Sequence, residues 1–262
     1  MEVTSLLAVF FALTFAASNA KEIPDQIHPL RPQSGAAGRK IPGVHCLSWR
    51  LAVETDNIRN WDVVPQVCEN YVGHYMLGGQ YRMDCYAAAA AAYEYAKSLT
   101  LGKDGKDVWI FDVDETALSN LPYYARPDNA FGAKEYNETT FQEWEKEGKA
   151  PAVPAVLDLY KKLLKLGFKI VFISGKAESL RKITTQNMHN VGYHTWEKLV
   201  LKSAEEKAES LKAYQYKSRE RTKLVKKGYR ILGNLGDQWS DIIGAHVGNR
   251  TFKLPNPMFY IA

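Results

Sequence analysis

Hydrophobic and polar positions change rhythm along this chain, and each rhythm predicts an element. Residues 6–15 (LLAVFFALTF) are apolar without interruption. From Lys21 to Gly43 four prolines and scattered glycines replace any periodicity, which predicts an extended arm. Helical spacing then appears in 47–61 (LSWRLAVETDNIRNW) and in 65–77 (PQVCENYVGHYML). The stretch 84–99 (DCYAAAAAAYEYAKSL) is the strongest helix former, because the run Ala87 to Ala92 loses little side-chain entropy and permits close packing on a sheet.

Past Lys106 short apolar runs alternate with amphipathic ones. Val108–Val113, Phe168–Ile173, Lys198–Lys202 and the segment opening at Gly228 (GYRILGN) predict four buried strands, and 251–254 (TFKL) predicts a fifth. Between them, helices are expected over Pro154–Leu166, over Glu178–Asn190 and along one long charged stretch that ends at Gly228. Strands alternating with helices imply parallel crossovers, hence an α/β fold with a Rossmann-like parallel sheet covered on both faces. An N-terminal helical part over 44–100 and an α/β core over 106–262 are expected, with a small cap over about 121–154.

The apolar run at 6–15 is too short for a membrane span, and the small residues Ser18 and Ala20 follow it at the spacing of a cleavage site. Residues 1–20 therefore predict a secretory signal peptide, and 21–43 an arm on the mature chain. The expected location is the secretory pathway, leading to the cell wall or to a vacuole. In an oxidising compartment three cysteines are an odd set: Cys46 and Cys68 flank two helical patterns and can clip them together, leaving Cys85 free, while three buried thiols are the alternative. Asn137 and Asn249 begin Asn-x-Thr acceptor sequences for glycans.

Composition narrows the chemistry. A formal charge of +5 spread among acids gives no nucleic-acid footprint, and no other stretch spans a membrane. The six histidines lack ligand spacing, and no Gly-x-Ser-x-Gly elbow occurs, which argues against a zinc site and a serine hydrolase. The basic run Lys217 to Lys227 reads as a solvated helix face, and Trp144 and Trp239 as core or lid residues. Tyr123 and Tyr124 fit either a pocket wall or plain packing.

In parallel sheets ligands bind beyond the carboxyl ends of the strands. There the first strand is followed by Asp112, Asp114 and Thr116, the second by Ser174, Gly175 and Lys176, and the fourth by Asp237 and Asp241. Carboxylates gathered this closely repel one another unless a cation joins them. Mg²⁺ suits such an oxygen set. An ionised aspartate can attack phosphorus, and a second acid two residues away can serve the leaving oxygen.

These elements, Asp-x-Asp-x-Thr, a serine after the second strand, a lysine, and Gly-Asp-x-x-x-Asp, resemble the four motifs of haloacid-dehalogenase-superfamily phosphatases. The segments CLSWRLAVETDNIRNWDVVPQVCENYV, YMLGGQYRMDC, FDVDETALSNLPYY and GYRILGNLGDQWSDIIG are similar to the plant acid phosphatase and vegetative storage protein family, which also resembles class B acid phosphatases and stem glycoproteins. The likeness runs from about His45 to Tyr260. It implies Asp112 as nucleophile, and Asp114 as acid/base that lends its backbone carbonyl to a metal. It also implies Thr116, Ser174 and Gly175 around the phosphate, Asp237 as metal ligand, and Asp241 binding the metal or its waters. For the lysine, Lys217 has the family-like spacing before Gly228, with Lys212 and Lys223 as alternates. Lys176 sits where some members carry Arg or Thr, and receives no role.

The resemblance implies an Mg²⁺-dependent acid phosphatase acting on small phosphomonoesters, and a homodimer or a heterodimer with a close relative is the assembly considered. The alternative it leaves is a storage glycoprotein with weak phosphatase chemistry. Some storage members replace the nucleophile; this chain keeps Asp112. The cap is expected to set specificity.

Overall fold

Side chains on successive strand residues point to opposite faces, and this chain uses both. In β1 (Asp107–Phe111), Val108 and Ile110 enter one core with Val171, Ile173 and Ile231, while Trp109 and Phe111 enter the other with Ile170, Phe172 and Phe252. A strand apolar on both faces must be covered twice, as the interior strands of a parallel sheet are. The computed structural model, which describes residues 45–262, shows that arrangement. β1 lies between β2 (Lys169–Ala177) and β4 (Arg230–Gly236), with β3 (Lys198–Lys202) and β5 (Arg250–Lys253) at the edges. All four pairings are parallel. The signal peptide and arm expected over 1–43 lie outside the described residues.

The larger core holds the N-terminal helices. α1 (Cys46–Glu54), α2 (Glu69–Leu77) and α3 (Gly79–Lys97) precede β1. Ala89, Ala92 and Ala96 of α3 are buried, and their small size lets that helix lie close to its neighbours. The expected helix over 47–61 stops at Glu54, because Asp56 and Asn60 take left-handed backbone (φ 60° and 54°) and turn the chain. Cys46 and Cys68 form a disulfide and Cys85 is free and buried, so the three-thiol alternative is overturned. Lys253 meets Glu54 at 2.8 Å, and the half-buried Trp239 donates its indole N–H to the Glu54 carbonyl at 3.0 Å. These contacts tie the helical part to the sheet.

Between β1 and β2 come α4 (Leu121–Tyr124), α5 (Glu138–Glu147) and α6 (Pro154–Lys165). Ala155, Val156, Leu159, Tyr160 and Leu163 form the buried stripe of α6. After β2 comes α7 (Arg181–Asn190). The single long helix expected before Gly228 is two, α8 (Ala204–Ala208) and α9 (Ala213–Lys226), separated at Ser210 by a positive φ of 51°. The inner side of α9 buries Lys217, Glu220, Arg221 and Leu224, so its basic run is not simply a solvated face. β2 also runs past Ile173 to Ala177 with a register shift there, which makes Ser174, Gly175 and Lys176 part of an irregular strand end rather than a turn. α10 (Trp239–Ile242) follows β4. Among the described residues no helix is long and apolar enough to cross a membrane.

Candidate active site

The carboxyl ends of β1, β2 and β4 open into a cavity of about 600 Å³. Asp112, Asp114, Gly175, Lys217, Asp237 and Asp241 all line it. The central pairing of β1 with β4 brings Asp112 to Asp237 and Asp241 across more than a hundred residues of sequence. One carboxylate oxygen from each of these three buried residues lies within 4.8 Å of the others.

Each carboxylate is held in place. Asp241 Oδ1 accepts from Lys217 Nζ, Oδ2 accepts from the Gln238 amide at 2.9 Å, and its carbonyl accepts from Asn234 Nδ2 and Arg221 Nη1. Gly236 makes this possible: a Cβ there would lie 2.4 Å from the Asp241 side chain. Asp237 accepts from Thr116 Oγ1 at 3.2 Å, from Gln238 Nε2 at 2.8 Å and from Asn256 Nδ2 at 2.7 Å. Thr116 is therefore a support for Asp237. It is fully buried and absent from the cavity wall, because the chain turns sharply at Glu115 (φ 55°). That strained turn is pinned by the Glu115 carboxylate, which accepts from the Asn120 amide and from Ser119 Oγ at 3.1 Å.

Lys217 Nζ donates to Asp112 Oδ1 at 2.5 Å and to Asp241 Oδ1. Of the three lysines considered, Lys217 stands in the site; Lys212 is exposed and Lys223 pairs with Glu206 and Glu220 on the surface. Burial pulls the Lys217 ammonium down, but Asp112 and Asp241 outweigh it and hold the group charged. Burial raises the Asp112 carboxyl well above its ordinary range, with Asp241 and Asp237 adding to the effect and Lys217 opposing it. Asp237 is pushed up to about 6 by burial and by Asp241, against its hydrogen bonds from Asn256 and Gln238. Glu115, buried beside Asp237, rises to about 8.

This charge balance tests whether a metal fits. Three buried carboxylates face one ammonium, so ionising all three would leave two negative charges uncompensated in a low-dielectric pocket, which is what raises Asp112 and Asp237. All the donors are oxygens, the set a hard divalent cation takes. Ser240 Oγ, buried at the same cavity, has no hydrogen-bond partner among the described residues. The residues fit a divalent cation.

Asp114 stands apart from the triad. Its Oδ1 accepts from Asn120 Nδ2 at 2.9 Å and pairs with Lys176 Nζ at 2.9 Å, and Ser174 Oγ lies 3.5 Å from Oδ2. A metal contact from this residue would have to come from its backbone. Lys176, given no role from sequence, is buried between Asp114 and Glu145 of α5, 2.8 Å from the latter. Asn120, Asn256 and Arg221 likewise carry no signal in the sequence. A buried asparagine or arginine looks like any surface one in sequence until its partners are known. Tyr124 lines the cavity, whereas Tyr123 is buried behind it with its hydroxyl on Thr140 Oγ1 at 2.9 Å. Trp144 is core, donating to Asn120 Oδ1 at 2.8 Å.

The family model of the HAD superfamily, subfamily IIIB (acid phosphatase), matches residues 33–262. Acid phosphatase 1 of Solanum lycopersicum is 47% identical over 82% of this chain and 83% of its own. The stem 28 kDa glycoprotein of Glycine max is 43% identical over 97% of each. Vegetative storage protein 1 of Arabidopsis thaliana is 42% identical over 86% of this chain and 82% of its own. The solved class C acid phosphatase of Bacillus anthracis shares the fold, with a TM-score of 0.60 and 22% identity over 73% of this chain and 85% of that one. With its sheet, its four motifs at the carboxyl edge and these relatives, the chain belongs to the subfamily IIIB acid phosphatases of the HAD superfamily.

Proposed function

We propose that this phosphatase hydrolyses small phosphomonoesters with Mg²⁺, through a phosphoryl group carried transiently on Asp112. The observation that carries this reading is the buried set of Asp112, Asp237 and Asp241 with Lys217 as its single ammonium. Asp112, Asp237 and Asp241, with the backbone of Asp114, would hold the cation, which when bound neutralises phosphate charge and keeps Asp112 ionised. Lys217 holds Asp112 in position and adds a fixed positive charge beside the phosphoryl group. A carboxylate oxygen of Asp112 attacks phosphorus as the ester P–O bond breaks, and Asp114 gives its proton to the leaving oxygen. Asp114 then takes a proton from the attacking water, which displaces phosphate and frees Asp112. The backbone at Gly175 bounds the phosphate side of the cavity, and the buried Ser174 sits behind it with its hydroxyl toward Asp114 Oδ2.

Mg²⁺ is preferred because a few carboxylates leave room for bound water, which this ion retains. Transit through the secretory pathway to a vacuole or the cell wall is supported by the Cys46–Cys68 disulfide and by the exposure of both sequon asparagines, Asn137 and Asn249. The storage role that some relatives' names describe is compatible with the same molecule. The retained Asp112 favours a working enzyme.

The test is hydrolysis of p-nitrophenyl phosphate at mildly acidic pH by wild type with Mg²⁺, by wild type with EDTA, and by Asp112→Asn. Turnover lost with EDTA and in the variant is expected. A folded variant as active as wild type would overturn the reading.

A further inference from the structure

Asp114 is set by α5 as well as by its own loop. Its Oδ1 takes two donors, Asn120 Nδ2 and Lys176 Nζ, each at 2.9 Å. Both donors are themselves held by α5. Trp144 Nε1 donates to Asn120 Oδ1 at 2.8 Å, and Glu145 Oε1 meets Lys176 Nζ at 2.8 Å. Two short relays thus run from adjacent residues of one helix to one oxygen of the acid/base. Asn120 and Lys176 come from different strand ends, so the relays converge only in the fold.

We propose that Lys176 is a positioning residue for the Asp114 carboxyl group, anchored by Glu145 of α5. The inference rests on the phosphatase reading above. Oδ1, with two donors, is the accepting end of the group. Oδ2 has one distant neighbour, Ser174 Oγ at 3.5 Å, and is the oxygen from which a proton can leave toward a substrate. Rotation of the carboxyl group would exchange these roles, and Lys176 with Asn120 prevents it.

Simple attachment of α5 does not account for the lysine. Lys176 is nearly buried, with 8% of its side chain exposed, and an apolar residue of similar length would hold α5 without desolvating an ammonium. The charge is retained where one of its two arms reaches the acid. Its backbone amide also donates to Ser174 Oγ at 3.1 Å, fixing the hydroxyl next to Oδ2.

A positioned acid matters most for esters whose leaving oxygen is strongly basic, because a good leaving group departs without a proton. The experiment compares kcat/KM on p-nitrophenyl phosphate and on glycerol 2-phosphate, for wild type, Lys176→Met, Lys176→Arg and the double variant Lys176→Met/Glu145→Leu. The double variant removes the carboxylate that Lys176→Met strands, so a folded protein is available if the single variant fails. The expected result is a loss at least about tenfold larger on the glycerol ester than on the nitrophenyl ester in both methionine variants, with most of that ratio restored by Lys176→Arg. Equal losses on the two esters, or an arginine variant no better than methionine, would overturn the positioning role alone. A wild type inert on both esters would overturn the phosphatase reading, and this role with it.

Discussion

Lys217 and Asp112 are 105 residues apart in the chain, yet their charged groups meet at 2.5 Å in the floor of the cavity. The pair exists because α9 packs against the face of the sheet that holds Val108, Ile110 and Ile173. Tyr216 and Leu224 bury the helix there and thereby aim Lys217 at the carboxyl edge. Lys217→Met removes the ammonium and keeps the stem. Turnover should fall on the order of a hundredfold or more, as when one preorganised charge is lost from a phosphoryl-transfer site. Steady-state kinetics with circular dichroism as a folding control checks this; activity near wild type would refute it.

Glu115 predicts a pH dependence of stability in the metal-free protein. Its folded-state value of about 8 lies above the ordinary glutamate value, so the folded protein holds this proton more tightly than the unfolded one. Stability from this group is therefore present in acid and is lost as pH rises toward 8. Glu115→Gln imitates the protonated form and keeps an acceptor for the Asn120 amide. With EDTA present, the variant should match wild type near pH 4 and exceed it by a few kcal/mol, on the order of 4 at most, near pH 8. Urea titrations at the two pH values decide; a gap that is the same at both counts against the assignment.

Gly236 is a close-approach glycine. An added Cβ would sit 2.4 Å from Asp241 Cβ and Oδ2, so Gly236→Ala must displace that aspartate. The expected outcome is weaker activation by the divalent cation, with the half-activating concentration raised about tenfold or more. An unchanged metal titration would show that Asp241 does not act on the cation.

The disulfide closes a loop of 22 residues between α1 and α2. Replacing both cysteines by serine should cost about 3 kcal/mol of stability. The bridge lies outside the cavity wall, so kcat should be little changed. Thermal melts with and without reductant, and the same comparison on Cys46→Ser/Cys68→Ser, measure it.

Five strands, their order of appearance and the acids that end them were readable because a buried parallel strand must be apolar on both faces, and such runs stand out locally. Val108 to Phe111 and Ile170 to Ile173 are of this kind. The edge strand Arg250–Lys253 is apolar on one side only and gave a weaker signal. Helix ends were less readable: the left-handed residues Asp56, Asn60 and Ser210 that stop or divide helices are polar residues that also suit helix surfaces.

The sequence by itself determined the fold class and the place of Asp112 at the end of β1, since strand periodicity and the Asp-x-Asp-x-Thr run act over a few residues. The pairing of Cys46 with Cys68 was legible as one of two alternatives, and packing chose between them. Only the tertiary structure decided what Lys176, Asn120 and Asn256 do. Each is polar and unremarkable in sequence; Lys176 and Asn256 acquire their roles when crossovers bring them within reach of a carboxylate from another strand, and Asn120 when the turn at Glu115 folds it back onto Asp114. Thr116 shows the converse. Its motif position suggested the phosphate, but a backbone turn at Glu115 sends its hydroxyl to Asp237, because direction at a strand end is set by the fold around it.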